Sequence, residues 1–369
     1  MLTYRNIYKG LPLLFHLAAI AAAFLFTLCP VKTALAGQSP DSEETEYSQK
    51  TETTPIKRFK PWAGPNVGYG LLRMPSQSPF QSLRLALLPR TPSTLGVHSW
   101  EFRLTQTLAN TWVNEPGKYL MDYETLHSTA SLSRRFHEIL FELSFEEQRM
   151  LNGMLDGFIK NFHETLNLDQ DGRDKAAYGE VNVDVWPPGG KEKITWEGGK
   201  GAFSQNIALV MQHNLTPGGK VWPAFSYSLS FRYDIWNAFD MERDFPVDMG
   251  VSFSLAKKMG PFHGYLVPGF FWYGSTRMET IEFERTQTSF LAGLEWNFHE
   301  SASFLVQYLY SDGSCKDLWG FKEPSHEVTL GFKGRLTKRL VWELGILENI
   351  IAYDNSPDFG LHWGLTFRI

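Results

Sequence analysis

The sequence predicts an all-β transmembrane β-barrel of about 12 antiparallel strands, with ten or fourteen as alternatives. Three observations indicate this fold class: an export signal, long segments in which apolar and polar residues alternate, and short connections that alternate with long ones. Alternation places one face of a strand against an apolar medium and the other against water. A bilayer is favoured as that medium, because a spanning strand needs about 9–11 residues whereas strands of soluble sheets average about 5–6.

The N-terminus predicts a cleaved signal peptide over residues 1–36. Arg5 and Lys9 precede a long apolar stretch, and Ala34-Leu35-Ala36 forms a cleavage signature. An uncleaved anchor is the alternative, since the apolar stretch approaches spanning length. Cleavage would leave Cys315 as the single cysteine of the exported chain, which excludes an intramolecular disulfide and thiolate metal sites.

The composition limits which classes of partner and of fold are expected. With 35 basic and 40 acidic residues, the chain has no basic field for nucleic acid, so no nucleic-acid partner is expected. Aromatic residues make up 15% of the chain, whose mean hydropathy is only −0.25. This combination fits a barrel, because half of each strand faces a polar lumen.

Two segments precede the barrel. Residues 37–60 are expected to be a disordered acidic leader, because they carry too little apolar surface to order themselves. Residues 61–96 are rich in Pro, Gly and Ser, and we expect a loop-rich segment inside or beneath the barrel that could serve as a plug. The barrel itself is predicted over residues 97–369.

The clearest strand places alternate residues from Phe225 to Ile235 outward, with serines, Arg232 and Asp234 between them. The last strand, Phe359 to Ile369, repeats this pattern. The strand from Phe262 to Tyr273 is apolar on both faces, which leaves its facing open. If Ile369 ends in the periplasm, every short turn is periplasmic and every long loop is extracellular. The strand number must then be even, and counting gives four strands before Leu215 and eight after it.

The inward positions carry interleaved charges of both signs. Such charges can pair into a network that fills a narrow barrel, or can line a water-filled path, and the sequence leaves both outcomes open. The predicted lumen-lining residues are Glu101, Arg103, Asp122, Glu124, Glu142, Arg232, Asp234, Asp248, Arg285, Glu295, Glu327, Lys333, Arg335, Glu343 and Arg368.

One long extracellular insertion is predicted at residues 148–201. Met154, Phe158, Phe162 and Leu166 recur at helical spacing, which indicates an amphipathic helix near the barrel mouth. This helix could pack on a following hairpin within residues 181–194, or it could act as a lid that captures a lipid-like ligand.

A possible cation site follows the helix. Asn167, Asp169 and Asp171, followed by Gly172, match the first half of a calcium loop. Tyr178 stands where a bidentate Glu should close the site, so a solvated turn is the alternative. Apart from this possible calcium ion, no cofactor is expected.

A lipid-active hydrolase is the enzyme alternative. His127 and Ser128 are adjacent in a strand and therefore point to opposite faces, while His299 and Ser301 have suitable spacing but lie in a predicted periplasmic turn. The sequence contains no G-x-S-x-G elbow either. We therefore expect a protein that is not an enzyme.

Three stretches carry a resemblance to a known family: "GLLRMPSQSPFQSLRLALLPRTP", "WEFRLTQTLANTW" and "LDGFIKNFHETLNLDQDGRD". The most specific part is the run from Asp156 to Ile159 with Phe162-His163 and Gly172-Arg173. The chain resembles, over most of residues 64–369, a family of uncharacterised Gram-negative outer-membrane proteins known as a domain of unknown function. The resemblance implies an outer-membrane barrel and carries no assigned activity or ligand.

These observations predict a barrel in the outer membrane of a Gram-negative cell. Expected partners are outer-membrane lipid and lipopolysaccharide, the barrel-assembly machinery acting on the last strand, and a small-molecule solute. The expected function is a non-enzymatic channel, importer or ligand-binding barrel. A structural or interaction barrel with a filled lumen is the main alternative.

Overall fold

The computed structural model describes residues 62–159, 161, 179, 181–196, 200–349 and 355–369. These residues are dominated by long antiparallel strands. Among them, no helix is both long enough and apolar enough to cross a membrane.

Twelve strands form the barrel wall, and shorter strands lie in the connections between them. The wall strands are β1 (Trp100–Glu115), β2 (Tyr119–Phe136), β3 (Ile139–Leu151), β6 (Gly201–Thr216), β7 (Ala224–Asn237), β9 (Val247–Met259), β10 (Phe262–Trp272), β13 (Thr286–His299), β14 (Ala302–Ser311), β15 (Ser325–Arg335), β16 (Leu340–Glu348) and β17 (Phe359–Arg368). The connecting strands are β4 (Asn182–Val185), β5 (Ile194–Thr195), β8 (Met241–Arg243), β11 (Ser275–Met278) and β12 (Ile281–Glu282).

The wall closes on itself because β1 pairs with both β2 and β17. Each wall strand is hydrogen-bonded to its neighbours in chain order, and all these pairings are antiparallel. Closure leaves the wall without a free sheet edge, which a strand-built membrane protein requires. The predicted fold class and the count of twelve strands are confirmed.

The two ends of the barrel differ. The short turns at residues 137–138, 260–261 and 300–301 lie at the same end as Trp100 and Ile369, whose backbones bond to each other. The long connections, including residues 152–200, leave from the other end. We refer to these as the turn end and the loop end.

Burial along the wall is inverted relative to a soluble sheet. Outward side chains such as Leu104 and Leu344 are 46% and 50% exposed, whereas the inward Ser226 and Ser228 are fully buried. Exposed apolar residues beside buried polar ones indicate that lipid contacts the outside.

Candidate functional site

The lumen is occupied by the chain's own N-terminal segment, residues 62–97. This segment contacts inward side chains of wall strands from β6 to β16. Its side chains Leu71 and Leu72 are 2% and 0% exposed, although the segment has no regular strand of its own. The lumen is thus filled by protein in this part of the barrel.

Glu295 on β13 holds the start of the segment. Its carboxylate accepts hydrogen bonds from the backbone N–H of Tyr69 at 2.8 Å and of Gly70 at 3.1 Å, and from the Tyr265 hydroxyl at 2.5 Å. Glu295 is fully buried. A buried carboxylate is stabilised when donors surround it, and the backbone N–H groups of an irregular segment need such acceptors in turn.

Gly68 permits this close approach. A Cβ atom added at Gly68 would clash with the carboxylate of Glu295. Any larger residue would force either this carboxylate or the segment to shift, and would disturb the hydrogen bonds between them.

Further inward groups repeat the arrangement along the segment. Gln307 on β14 accepts from the Leu72 N–H at 2.5 Å, and Glu327 on β15 accepts from the Gln77 N–H at 3.0 Å and from the Ser76 hydroxyl. Asp248 on β9 accepts from the Leu85 N–H at 3.0 Å. Irregular backbone at membrane depth is tolerated when protein groups satisfy it in this way.

Apolar contacts add to these hydrogen bonds. Leu85 and Leu87 of the segment belong to one buried cluster with Tyr265, Val267 and Phe271 of β10. The inward face of β10 is therefore apolar because it packs on the segment, while Leu266 and Trp272 face outward. This accounts for a strand that is apolar on both faces.

Ion pairs tie the segment to the wall near the turn end. Arg73 and Arg90 both donate to one oxygen of Glu142 on β3, at 2.6 and 2.5 Å. Lys333 on β15 pairs with Glu343 on β16 at 2.8 Å, and His362 also contacts Glu343 at 3.0 Å. Charges of both signs thus meet inside the lumen.

The structure brings most of the predicted lumen residues together in these networks. Glu101 pairs with Arg103 at 2.8 Å and with Arg368 at 2.7 Å, and Arg232 pairs with Asp234 at 3.0 Å. Four predicted residues lie elsewhere, and two of these, Arg285 and Arg335, lie at strand ends. Arg285 precedes β13 and pairs with Asp244, both being about half exposed. Arg335 ends β15 at an exposed position near the turn end.

The inward facing predicted for Asp122 and Glu124 is wrong. Glu124 pairs in register with Asn110, on the same face as Leu108, and that face carries the exposed residues Phe102 and Leu104. Paired residues of antiparallel strands point to the same side, so Glu124 points outward. Its carboxylate accepts from the N–H groups of Met154 and Leu155, at 2.7 and 2.5 Å.

The predicted helical insertion is not confirmed. Only residues 156–159 and 161 are described as helical, and Phe162 and Leu166 lie outside the described residues. Met154 and Phe158 are 70% and 50% exposed, whereas Leu155 and Ile159 are buried against Leu108 and Phe359. This turn therefore packs on the outer wall and not on the hairpin formed by β4 and β5. The calcium candidates Asn167, Asp169 and Asp171 also lie outside the described residues.

An apolar pocket of about 70 Å³ lies inside the loop end of the barrel. The N-terminal segment forms its floor, and β4, β5 and the connection around β11 cover it. Its lining includes Phe80, Met121, Val185, Trp196, Phe239 and Ile281. No pattern in the sequence indicates this pocket, because its walls come from distant parts of the chain.

The nucleophile candidates are separated or inert. His127 is buried on the lumen side, while Ser128 is bonded to Gln106, which lies on the outer face. His299 and Ser301 contact each other at 2.8 Å, but in the exposed turn between β13 and β14. Burial raises the pKa of the Cys315 thiol to about 12, which suppresses the reactive thiolate.

A closed antiparallel barrel with an apolar exterior and a lumen filled from the N-terminus defines the class: a transmembrane β-barrel protein. The chain belongs to the family described as "Protein of unknown function (DUF3187)", whose model matches residues 49–369. No match was found among curated proteins.

Solved structures include similar barrels. An outer membrane channel from Pseudomonas putida F1 is 9% identical with a TM-score of 0.49, covering 77% of this chain and 100% of that chain. The translocator domain of the autotransporter NalP from Neisseria meningitidis is 9% identical with a TM-score of 0.39, covering 74% and 89%. The P. putida toluene transporter TodX is 10% identical with a TM-score of 0.35, covering 75% and 91%.

Proposed function

We propose that the protein is a non-enzymatic outer-membrane channel for a small solute, closed at rest by its own N-terminal segment. The observation that carries the proposal is the set of hydrogen bonds that inward carboxylates accept from the backbone of that segment. Glu295, Glu327 and Asp248 each accept from its N–H groups. The segment is therefore held at separate points along its length, by contacts that can break and re-form.

The attachment is non-covalent and polar, which suits a movable plug. Each buried carboxylate would be solvated by water if the segment withdrew, so the loss of its hydrogen bonds would be offset in part. The mixed charges of the lumen wall would then line an aqueous path.

The apolar pocket at the loop end favours a small, mainly apolar solute. A solute arriving from outside would meet this pocket first, and Phe80 of the segment forms part of its lining. A cavity of about 70 Å³ is about half the volume of an engineered cavity of ~150 Å³ that binds benzene, so an aromatic guest would have to displace lining residues. Displacement of Phe80 would couple solute binding to the plug.

The alternative function is a structural or interaction barrel whose lumen stays filled. The burial and pairing of Arg232 with Asp234, and the full burial of Glu295, favour this alternative. The two functions differ in whether the segment ever leaves its place.

Planar-bilayer recording separates them. The mature chain 37–369, the truncated chain 97–369 and the double variant Glu295→Gln/Glu327→Gln would be refolded, and folding would be verified by heat-modifiable gel migration. We expect brief openings in the mature chain, steady conductance in the truncated chain, and more frequent openings in the double variant.

The truncated chain serves as the reference for an emptied lumen, and its conductance would show that the wall alone can enclose an aqueous path. If neither the mature chain nor the folded double variant conducts, the channel proposal is refuted. That result would favour the barrel whose lumen stays filled.

A further inference from the structure

A polar cavity of about 60 Å³ lies between the N-terminal segment and the wall, near the turn end. It is separate from the apolar pocket and shares no lining residue with it. The cationic side chains that line it are Arg73, Arg90, Arg103, Lys333 and Arg368. The carboxylates that line it are Glu101 and Glu142.

These carboxylates are each shared between two guanidinium groups. Glu142 accepts from Arg73 and Arg90 at 2.6 and 2.5 Å, and Glu101 accepts from Arg103 and Arg368. Behind the lining, Glu343 balances Lys333 at 2.8 Å. Cationic groups still outnumber the carboxylates they contact, so the cavity carries an excess of positive charge.

Two of the arginines that line this cavity also carry a buried N–H donor that lacks an acceptor. The Nε atoms of Arg73 and Arg90 have no hydrogen-bond partner among the residues that the structure describes. Their side chains are only 10% and 3% exposed. A buried N–H of a charged group is costly to leave without an acceptor, and Arg keeps its charge in proteins.

We propose that this cavity binds a small inorganic oxyanion of the phosphate or sulfate class. Such an anion offers several acceptor oxygens to guanidinium groups, the pairing for which the arginine fork is best suited. A volume of about 60 Å³ corresponds to about four to six water-sized spaces, which suits an ion with four oxygens. Arg103 and Arg368 are 15% and 17% exposed, which leaves a route of entry from the turn end.

The bound anion would bridge two parts of the molecule. Arg73 and Arg90 belong to the N-terminal segment, whereas Arg103 and Arg368 belong to β1 and β17. Anion binding would therefore fasten the segment to the seam of the barrel. It takes place in the closed barrel and does not depend on the channel activity proposed above.

Titration calorimetry of the mature chain in detergent tests the site, with sodium phosphate and sodium sulfate added separately at constant ionic strength in chloride. We expect saturable binding of at least one of the two anions. A difference between their affinities would show which of them the site selects. Arg90→Gln should weaken binding by about 10- to 100-fold, because it removes a charge-assisted donor. The matched control Arg277→Gln, at an exposed loop pair with Glu242, should leave binding unchanged.

Thermal unfolding provides a second readout. The midpoint should rise with the binding anion in the wild type and in Arg277→Gln, and much less in Arg90→Gln. If Arg90→Gln does not fold, Arg73→Gln replaces it. The proposed anion site is refuted if the folded wild type shows no saturable binding. It is also refuted if a folded arginine variant binds the anion as tightly as the wild type.

Discussion

Replacement of Glu295 by glutamine should shift the barrel toward the open state of the proposed channel. The carboxylate receives the N–H groups of Tyr69 and Gly70 and the Tyr265 hydroxyl. A glutamine side chain keeps one acceptor oxygen and places an NH₂ group where the other oxygen was. Because Oε1 accepts from Tyr69 whereas Oε2 accepts from Gly70 and the Tyr265 hydroxyl, the N–H of either Tyr69 or Gly70 then faces a donor, and the remaining bonds lose their charge assistance.

The size of the effect follows from those bonds. A hydrogen bond to a charged group contributes about 1.5–3 kcal/mol, and its neutral counterpart about 0.5–1.5 kcal/mol. Loss of one charged bond (about 1.5–3 kcal/mol) and weakening of the two others by about 1–1.5 kcal/mol each costs the closed state about 3.5–6 kcal/mol. Since about 1.4 kcal/mol is tenfold, the ratio of open to closed barrel should rise by about 300- to 20,000-fold.

Open probability in planar bilayers measures this ratio. Glu242→Gln is the matched control, because Glu242 is an exposed loop carboxylate paired with Arg277. The reasoning is refuted if folded Glu295→Gln opens no more often than wild type, or if Glu242→Gln opens equally often.

Three further predictions concern the same segment and the loop end. Gly68→Ala should raise the open probability, because the added Cβ would clash with Glu295. Gly219→Ala is the control, since a Cβ there would meet open space; equal open probabilities of the two variants would contradict the close contact between Gly68 and Glu295. Phe80→Ala should destabilise the folded barrel by about 3–5 kcal/mol, since Phe80 is 4% exposed and packs edge-on to Phe321 at 4.8 Å; an unchanged thermal midpoint would contradict this. Cys315, with a pKa of about 12, should resist maleimide at pH 7.5 until the protein is unfolded; labelling of the folded protein would show that the thiol is accessible.

Much of the barrel wall could be predicted from sequence because each strand carries its own evidence. The alternation from Phe225 to Ile235 is a local pattern that fixes facing, and connection lengths fix the parity of the strand count. Glu124 shows where this reasoning fails. Its charge suggested the lumen, but the register with Asn110 places it outward, where backbone N–H groups of the connection after β3 satisfy it.

The contacts of the lumen could not be predicted in the same way. The partners of the N-terminal segment are far away in sequence; Tyr69 and Glu295, for example, are separated by 226 positions. No periodic pattern encodes such a pairing, because the segment forms no regular strand. The inward charged residues could be named from the sequence, but their ion-pair partners could not. Glu142 pairs with both Arg73 and Arg90 because of the three-dimensional path of the segment.

The position of the segment in the chain constrains how the molecule is built. Residues 62–97 precede the first wall strand, while the ring is completed by the last one, through the pairing of β1 with β17. A segment surrounded by the wall is most easily placed while the wall is still an open, curved sheet. During insertion into the bilayer the wall would then close around the segment. The pairing of β17 with β1 would complete a barrel whose lumen is already occupied.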